Sequence, residues 1–398
     1  MSEIKVNSIK GVGASTAAIT VNNTDGTCTA NLTNRTNRNL VINGAMNVAQ
    51  RLGGGVATNS QGYQTVDRFQ VGQYGADEAL TQMQGSVSSG TTPYTLGFRN
   101  TLKITNGNQT SGADASDYAY IDMALEGQDI AGSGWNYNSA SSFITFSFWI
   151  KSSVAQSFKG YFSTEDGTSY QYPYDTGSLS ADTWTKVTKT IPGNSNLTIN
   201  NDNGVGFRFS VWPYIGTTYT ASSVTEDAWS TFASAARTKD ATSTWWTTND
   251  ATFEITGVQL EVGSVATDFE HRSFGQELAL CQRYFYLHAD PSEAVTSGSP
   301  NEVIIGQGCY YGSPDNFTTV HFPVRMRTTP TLVQNTGTNY YVKYRNNGAD
   351  FSNSVGTLSR EQSNCCTIYD NSASGNAGDG SFLSTYNASA RVSFSSEL

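Results

Sequence analysis

The stretch "FITFSFWIK", Phe143–Lys151, places large apolar residues at every second position, Ile144, Phe146, Phe148 and Ile150, with Thr145, Ser147 and Trp149 between them. A period of two projects those four side chains to one face of an extended strand, where a helix would scatter them around its axis. "FRFSVWP" repeats the pattern at Phe207, Phe209 and Val211. Two such faces read as the inward surfaces of a β-sandwich.

Composition agrees over the rest of the 398 residues. Only 14% are charged, 12% are aromatic, and there are 38 glycines with abundant Thr, Ser and Asn. Short polar side chains compete for backbone hydrogen bonds in helices and favour turns and pleated edges. An all-β chain is predicted, with room for more than one core. The formal charge of −10 argues against nucleic acid as a partner, because phosphate neutralisation needs clustered Lys and Arg. The start "MSEIKVNSIKGVGAS" has no apolar signal region, and nowhere do 18 apolar residues run together, so neither export nor membrane insertion is expected. Five cysteines (Cys28, Cys281, Cys309, Cys365, Cys366) follow no framework spacing and read as reduced thiols.

Along the chain, residues 1–40 are thin in large apolar groups and are expected to gain order against another chain. Apolar density rises at "NLVINGAMNVAQR", Asn39–Arg51, and stays high to about residue 270, which sets a jelly-roll-like sandwich at 41–272. In "TFEITGVQLEV", Phe253 and Ile255 share one parity while Val258, Leu260 and Val262 share the other, so a bulge is predicted at Gly257. A short amphipathic helix is predicted over 273–287, with Ser273 as N-cap and Gln276 completing a capping box. Its stripe is Phe274, Leu278, Cys281 and Phe285. Strands return in a smaller β domain at 288–398, where Val320, Phe322, Val324 and Met326 alternate.

Chemical motifs are scarce. His271, His288 and His321 stand in no metal-binding frame, and adjacent Cys365 and Cys366 cannot chelate without distant partners. "GGG" at Gly53–Gly55 lacks the Lys and Ser/Thr of a phosphate loop and reads as a turn. No nucleophile elbow is present. A glycosidase pair drawn from Asp166, Asp175, Glu226 and Asp227 is less expected than exposed loop acids, and neither an enzyme nor a cofactor is predicted. Aromatic residues remain. Tyr172 and Tyr174 in "YQYPYD", Trp212 and Tyr214 in "VWPYIGTTY", and Trp245 and Trp246 in "TWWTTND" are the candidates for stacking on sugar faces, and the same rings would serve equally as core or subunit contacts.

"NLVINGAMNVAQR", "GYQTVDRF", "VQLEVGSVATDFEHRSFGQELALCQRYF" and "FPVRMRTTPTL" together resemble tail-fibre and related appendage proteins of tailed bacteriophages, particularly those of marine bacteria and cyanobacteria, and "MSEIKVNSIKG" is similar to the starts of such fibres. The resemblance implies a virion structural protein, a homotrimer, and a sandwich like those of carbohydrate-binding modules. The arm would attach to other tail or capsid proteins, and the β domains would meet host cell-surface polysaccharide. Modules of that kind carry a structural calcium between first and last strands, for which Asn43 and Glu261 are the corresponding residues here. The helical stripe would then either pack around a threefold axis or lie on its own sandwich. A purely structural tail or capsid decoration is the alternative, and a glycan depolymerase a more distant one.

Overall fold

The computed structural model describes residues 8–10, 12, 19–21, 28–30, 37–293, 301–346, 348–372 and 374–398. In the arm, β1 (Ser8–Ile9), β2 (Ile19–Val21) and β3 (Cys28–Ala30) form a small antiparallel sheet. The expected ordering of residues 1–40 against another chain otherwise lies outside the described residues.

Eleven strands build the sandwich: β4 (Gln70–Tyr74), β5 (Thr81–Ser86), β6 (Asn100–Thr105), β7 (Tyr118–Glu126), β8 (Phe143–Ser152), β9 (Lys159–Thr164), β10 (Tyr170–Asp175), β11 (Thr185–Pro192), β12 (Val205–Ile215), β13 (Ser230–Thr231) and β14 (Thr252–Val262). They sort into a six-stranded sheet, β13-β10-β9-β12-β7-β4, and a five-stranded sheet, β11-β8-β14-β6-β5. Ile144, Phe146, Phe148 and Ile150 of β8 face Phe207, Phe209 and Val211 of β12 across the core, all fully buried. Two short helices, α1 (Thr92–Thr95) and α2 (Gly127–Ala131), went unpredicted; a single turn is too brief to show a helical period.

The slip in β14 is real. Thr256 pairs with Trp149 and Gln259 with Ser147, leaving Gly257 at φ +61° in the register break. A Cβ there would fall 2.6 Å from the Phe98 ring, so only glycine fits. Phe253, Ile255, Val258 and Leu260 are thereby all buried, whereas Val262, expected to follow them, is 40% exposed at the end of the core.

The helix α3 (Phe274–Gln282) carries the predicted capping box, with the Ser273 hydroxyl accepting from the Gln276 amide. It stops earlier than expected, because residues from Phe285 onward are taken into a strand, β15 (Phe285–Ala289), paired with the chain's end. The smaller domain adds β16 (Ile304–Tyr310), β17 (Asn316–His321), β18 (Thr331–Gln334), β19 (Tyr341–Arg345), β20 (Gly348–Ser352), β21 (Thr357–Ser359), β22 (Cys365–Asp370), β23 (Gly380–Thr385) and β24 (Val392–Ser395). A three-stranded sheet, β15-β24-β18, packs on a seven-stranded one, β20-β19-β23-β16-β17-β22-β21, around Ile305, Val320, Tyr341, Leu383 and Phe394. The strand expected to run to Met326 ends at His321, since Pro323 has no amide hydrogen to continue the ladder.

The stripe of Phe274, Leu278, Cys281 and Phe285 is not one surface. Cys281 and Phe285 are buried in their own subunit, Leu278 is half-buried, and Phe274 is 59% exposed. The face that α3 buries is Glu277, Cys281 and, just beyond it, Tyr284. Polar groups hold it there. Glu277 accepts from the Asn43 amide at 2.5 Å and pairs with Arg272 at 3.3 Å. Arg68, 1% exposed, stacks 3.5 Å over Tyr284 and pairs with Glu397, which also meets Arg51 at 3.0 Å. Glu126 receives Arg283 at 2.6 and 2.7 Å and the Tyr284 hydroxyl at 2.5 Å. These contacts make one clasp that ties sandwich, helix and chain end together.

Asn43 and Glu261, the residues corresponding to a structural calcium site, are each held by hydrogen bonds within the protein. Asn43, at φ +61°, uses its side-chain oxygen to accept from Val48 and its amide to reach the Val48 and Asp67 carbonyls. Glu261 is occupied by Gln259 and by both the amide and hydroxyl of Thr267.

Candidate functional site

Because side chains alternate across a strand, burying Phe207, Phe209 and Val211 of β12 turns Arg208, Ser210 and Trp212 to the outer face of the six-stranded sheet. On β7, Ala119, Ile121 and Met123 point inward, so Tyr118, Tyr120 and Asp122 point outward. Tyr161 and Ser163 do the same on β9. These residues line a groove of about 290 Å³, closed at one side by Phe232 and Arg237 from the loops around β13.

Its floor is aromatic. The Trp212 ring lies 5.0 Å from Tyr120, 5.6 Å from Tyr118 and 6.0 Å from Tyr161, between centroids. Tyr74 extends the row, stacked 5.8 Å from Tyr118 and 57% exposed. Gly72 stands directly opposite Tyr120, and a Cβ on it would meet that ring at 2.3 Å, so the missing side chain is what lets Tyr120 lie down on the sheet.

Polar groups rim the floor. The Arg208 guanidinium donates to Asp122 at 3.0 Å and to Glu165 at 3.3 Å. Burial pushes the Asp122 carboxyl up to about 6 in spite of Arg208. Burial likewise raises Tyr120 to about 12 and moves Tyr161 and Tyr118 in the same direction, so the phenols stay neutral donors. Three buried atoms here have no hydrogen-bond partner within the described residues: Trp212 Nε1, Asp122 Oδ1 and Arg237 Nε. A buried polar group left unpaired costs about 1–3 kcal/mol, which a bound molecule offering the complementary hydroxyls would recover.

Of the rings singled out from sequence, Trp212 alone is in this groove. Tyr172 and Tyr174 do share a face, but it is the core face, where Tyr174 packs on Phe146 and Phe162. Tyr214 is turned inward onto Trp246 by a register shift between Val211 and Tyr214, which reverses the parity of β12 past Trp212. Trp245 and Trp246 lie in a turn yet are fully buried, donating to the Thr252 and Gly112 carbonyls. As sugar platforms these five are corrected, because a ring enclosed on both faces cannot stack on a ligand; Trp212, only 3% exposed, likewise backs the floor from beneath, and the half-buried Tyr118 and Tyr120 form its open surface. Tyr118, Tyr120 and Tyr161 were missed, although "YAYID", alternating aromatic with small apolar residues, carried the signal of a strand whose outer face is aromatic.

The acids weighed for hydrolysis are tied to neighbours. Lys159 holds Asp175 at 2.6 Å and Glu226 at 2.7 Å, Lys189 holds Asp227 at 3.1 Å, and Asp166 accepts from Asn200. Among the described residues no group of three or more His, Cys, Asp or Glu could hold a metal ion. His271 reaches the Leu96 carbonyl and His288 that of Ile305.

No protein-family model and no curated protein sequence matches the chain. Among solved structures it is similar to the enzymatically active domain of tailspike protein 4 from bacteriophage CBA120, at 11% identity and a TM-score of 0.30, over 56% of this chain and 21% of that one. It is also similar to the family 11 carbohydrate-binding module from Clostridium thermocellum, at 13% identity and a TM-score of 0.22, over 50% of this chain and 91% of that one. The N-terminal CBM22-1–CBM22-2 tandem domain from Paenibacillus barcinonensis Xyn10C aligns over 82% of this chain and 93% of its own, at 9% identity and a TM-score of 0.24. The chain thus spans about a fifth of the tailspike domain it matches, and it is an all-β protein whose sandwich presents an aromatic groove on one outer face.

Proposed function

We propose that this protein binds glycan, without transforming it, in the outer-face groove of its six-stranded sheet. The observation that carries the reading is the pairing of a floor of half-buried Tyr118 and Tyr120, backed by the buried Trp212, with unpartnered polar atoms of Trp212 and Asp122 beside it. Sugars have apolar ring faces and hydroxyl edges, and this surface offers both complements at once. Support for binding without hydrolysis comes from Asp122 and Glu165 sharing one guanidinium.

The chain is, in this reading, a component of a homotrimeric tailed-phage appendage that meets host polysaccharide, with the arm held by other tail or capsid proteins. The sequence resemblance supports the virion role. Phe274 and the exposed part of Leu278 support association of copies, since they are the portion of the α3 stripe left uncovered. Weak single sites then act together as one firm attachment.

Isothermal titration or a glycan array with wild type and Trp212→Ala tests the site. Loss of the central ring predicts a fall of about thirtyfold in affinity for any glycan bound, about 2 kcal/mol. Unchanged binding would move the site elsewhere, absence of all binding would favour the structural decoration, and sustained release of reducing ends would make the protein a depolymerase.

A further inference from the structure

Arg237 stands apart from the other cations near the groove. Arg208, Lys159 and Lys189 each hold a carboxylate, as expected in a chain with 33 acidic and 23 basic residues. Among the described residues Arg237 has no ion pair and no side-chain hydrogen bond, and its Nε is buried. What surrounds it is aromatic: its guanidinium carbon lies 4.9 Å from the Tyr219 ring centroid, 5.7 Å from Trp212 and 5.9 Å from Phe232. The nearby acids are engaged, Asp240 by Thr220 and Glu226 by Lys159 and Lys239.

Rings hold a guanidinium in place without consuming its donors. Arg237 is further anchored through its backbone amide, which donates to the Tyr219 carbonyl at 2.8 Å. The fork is therefore fixed in position before any ligand arrives, and its N–H groups match two oxygens of one carboxylate or sulfate.

From this we infer that the groove selects an anionic glycan, whose carboxylate or sulfate sits on Arg237 while the sugar ring carrying it lies on the tyrosine floor that Trp212 supports; the inference rests on the groove being the glycan site. Across the whole groove the two guanidiniums, Arg208 and Arg237, match the two carboxylates, Asp122 and Glu165, and Arg208 holds both acids away from Arg237. Asp122 pairs in register with Ser210, two residues before Trp212, and Arg208 lies four residues before it on β12, about 13 Å at ~3.3 Å per residue. The groove is thus polar along its length: an anion seat at the Trp212 end, and hydroxyl acceptors at the Arg208 end.

The test is an array of paired oligosaccharides: oligogalacturonate with its carboxyl-reduced form, other uronate-containing oligosaccharides with theirs, and sulfated galactans with their desulfated forms. Wild type, Arg237→Gln, Arg237→Lys and Trp212→Ala are compared on it. An acidic member is expected to bind wild type at least about tenfold tighter than its neutral partner, with the gap shrinking as salt rises. Arg237→Gln should close that gap, and Arg237→Lys should keep part of it. Preference for uronate or for sulfate identifies the anion. Equal affinity within every pair overturns the inference, as does a gap that survives Arg237→Gln. If Trp212→Ala still weakens neutral and acidic members alike, the glycan site itself stands; if no member binds wild type, both readings fall.

Discussion

Acidity should switch the groove's affinity between pH 7 and pH 5, and Asp122 sets the midpoint. Its free Oδ1 accepts a hydroxyl most strongly while the carboxyl is ionised, and burial has lifted its pKa from 3.8 to about 6. If only the ionised form binds, the dissociation constant grows by one plus ten raised to (6 − pH), a factor of about 1.1 at pH 7 and about 11 at pH 5. Titrating one bound glycan at half-unit steps should therefore show roughly a tenfold loss centred near pH 6, using a neutral probe so that no ligand group titrates. Unfolding does not account for the loss. A carboxyl whose folded pKa lies above its unfolded value binds its extra proton in the folded state, so Asp122 favours folding more at pH 5 than at pH 7. In Asp122→Asn the amide oxygen still accepts, Arg208 keeps Glu165, and the pH profile should flatten. A wild-type profile already flat from pH 7 to 5, or a slope retained by Asp122→Asn, would refute the reasoning.

The clasp and the helix give the other predictions. Glu397→Gln leaves Arg68, 1% exposed, facing a neutral amide, and should cost about 3 kcal/mol in urea unfolding; a loss under about 0.5 kcal/mol would show the chain end to be dispensable. Glu126 should make the clasp acid-labile: burial opposes its charge, but Arg283 and Tyr284 outweigh that and hold it below 4.5, so its contribution is full above that value and lost as pH falls through the lower folded pKa. Glu126→Gln should remove that part of the acid transition, which a pH series of melting curves checks. If copies associate through α3 as proposed, Leu278→Asp should lower the native mass to that of a monomer with the fold intact by circular dichroism; an unaltered mass would overturn that role for α3.

Much of the architecture is written in local patterns. Period two in "FITFSFWIK" and "FRFSV", the parity change at Gly257, and Ser273 three residues before Gln276 each concern neighbours within one or two turns of chain, and each is where it was expected. The site was harder. Tyr172 and Tyr174 share a face, but alternation cannot say which face meets the other sheet; that depends on what packs opposite, here Phe146 of β8. The register shift after Val211 sends Trp212 outward and Tyr214 inward, though they sit two residues apart.

By itself, then, the sequence determined the class of fold, the strands, the bulge and the cap, because backbone propensity and side-chain periodicity act over a few residues. Only the tertiary structure decided that Trp212 gathers Tyr118, Tyr120 and Tyr161 from two other strands, that Glu277 and Arg68 make a clasp of the helix, and that Arg237 is left with rings for company. Those outcomes follow from strand order and register across residues far apart in the chain, where burial and pairing are settled by which surfaces meet.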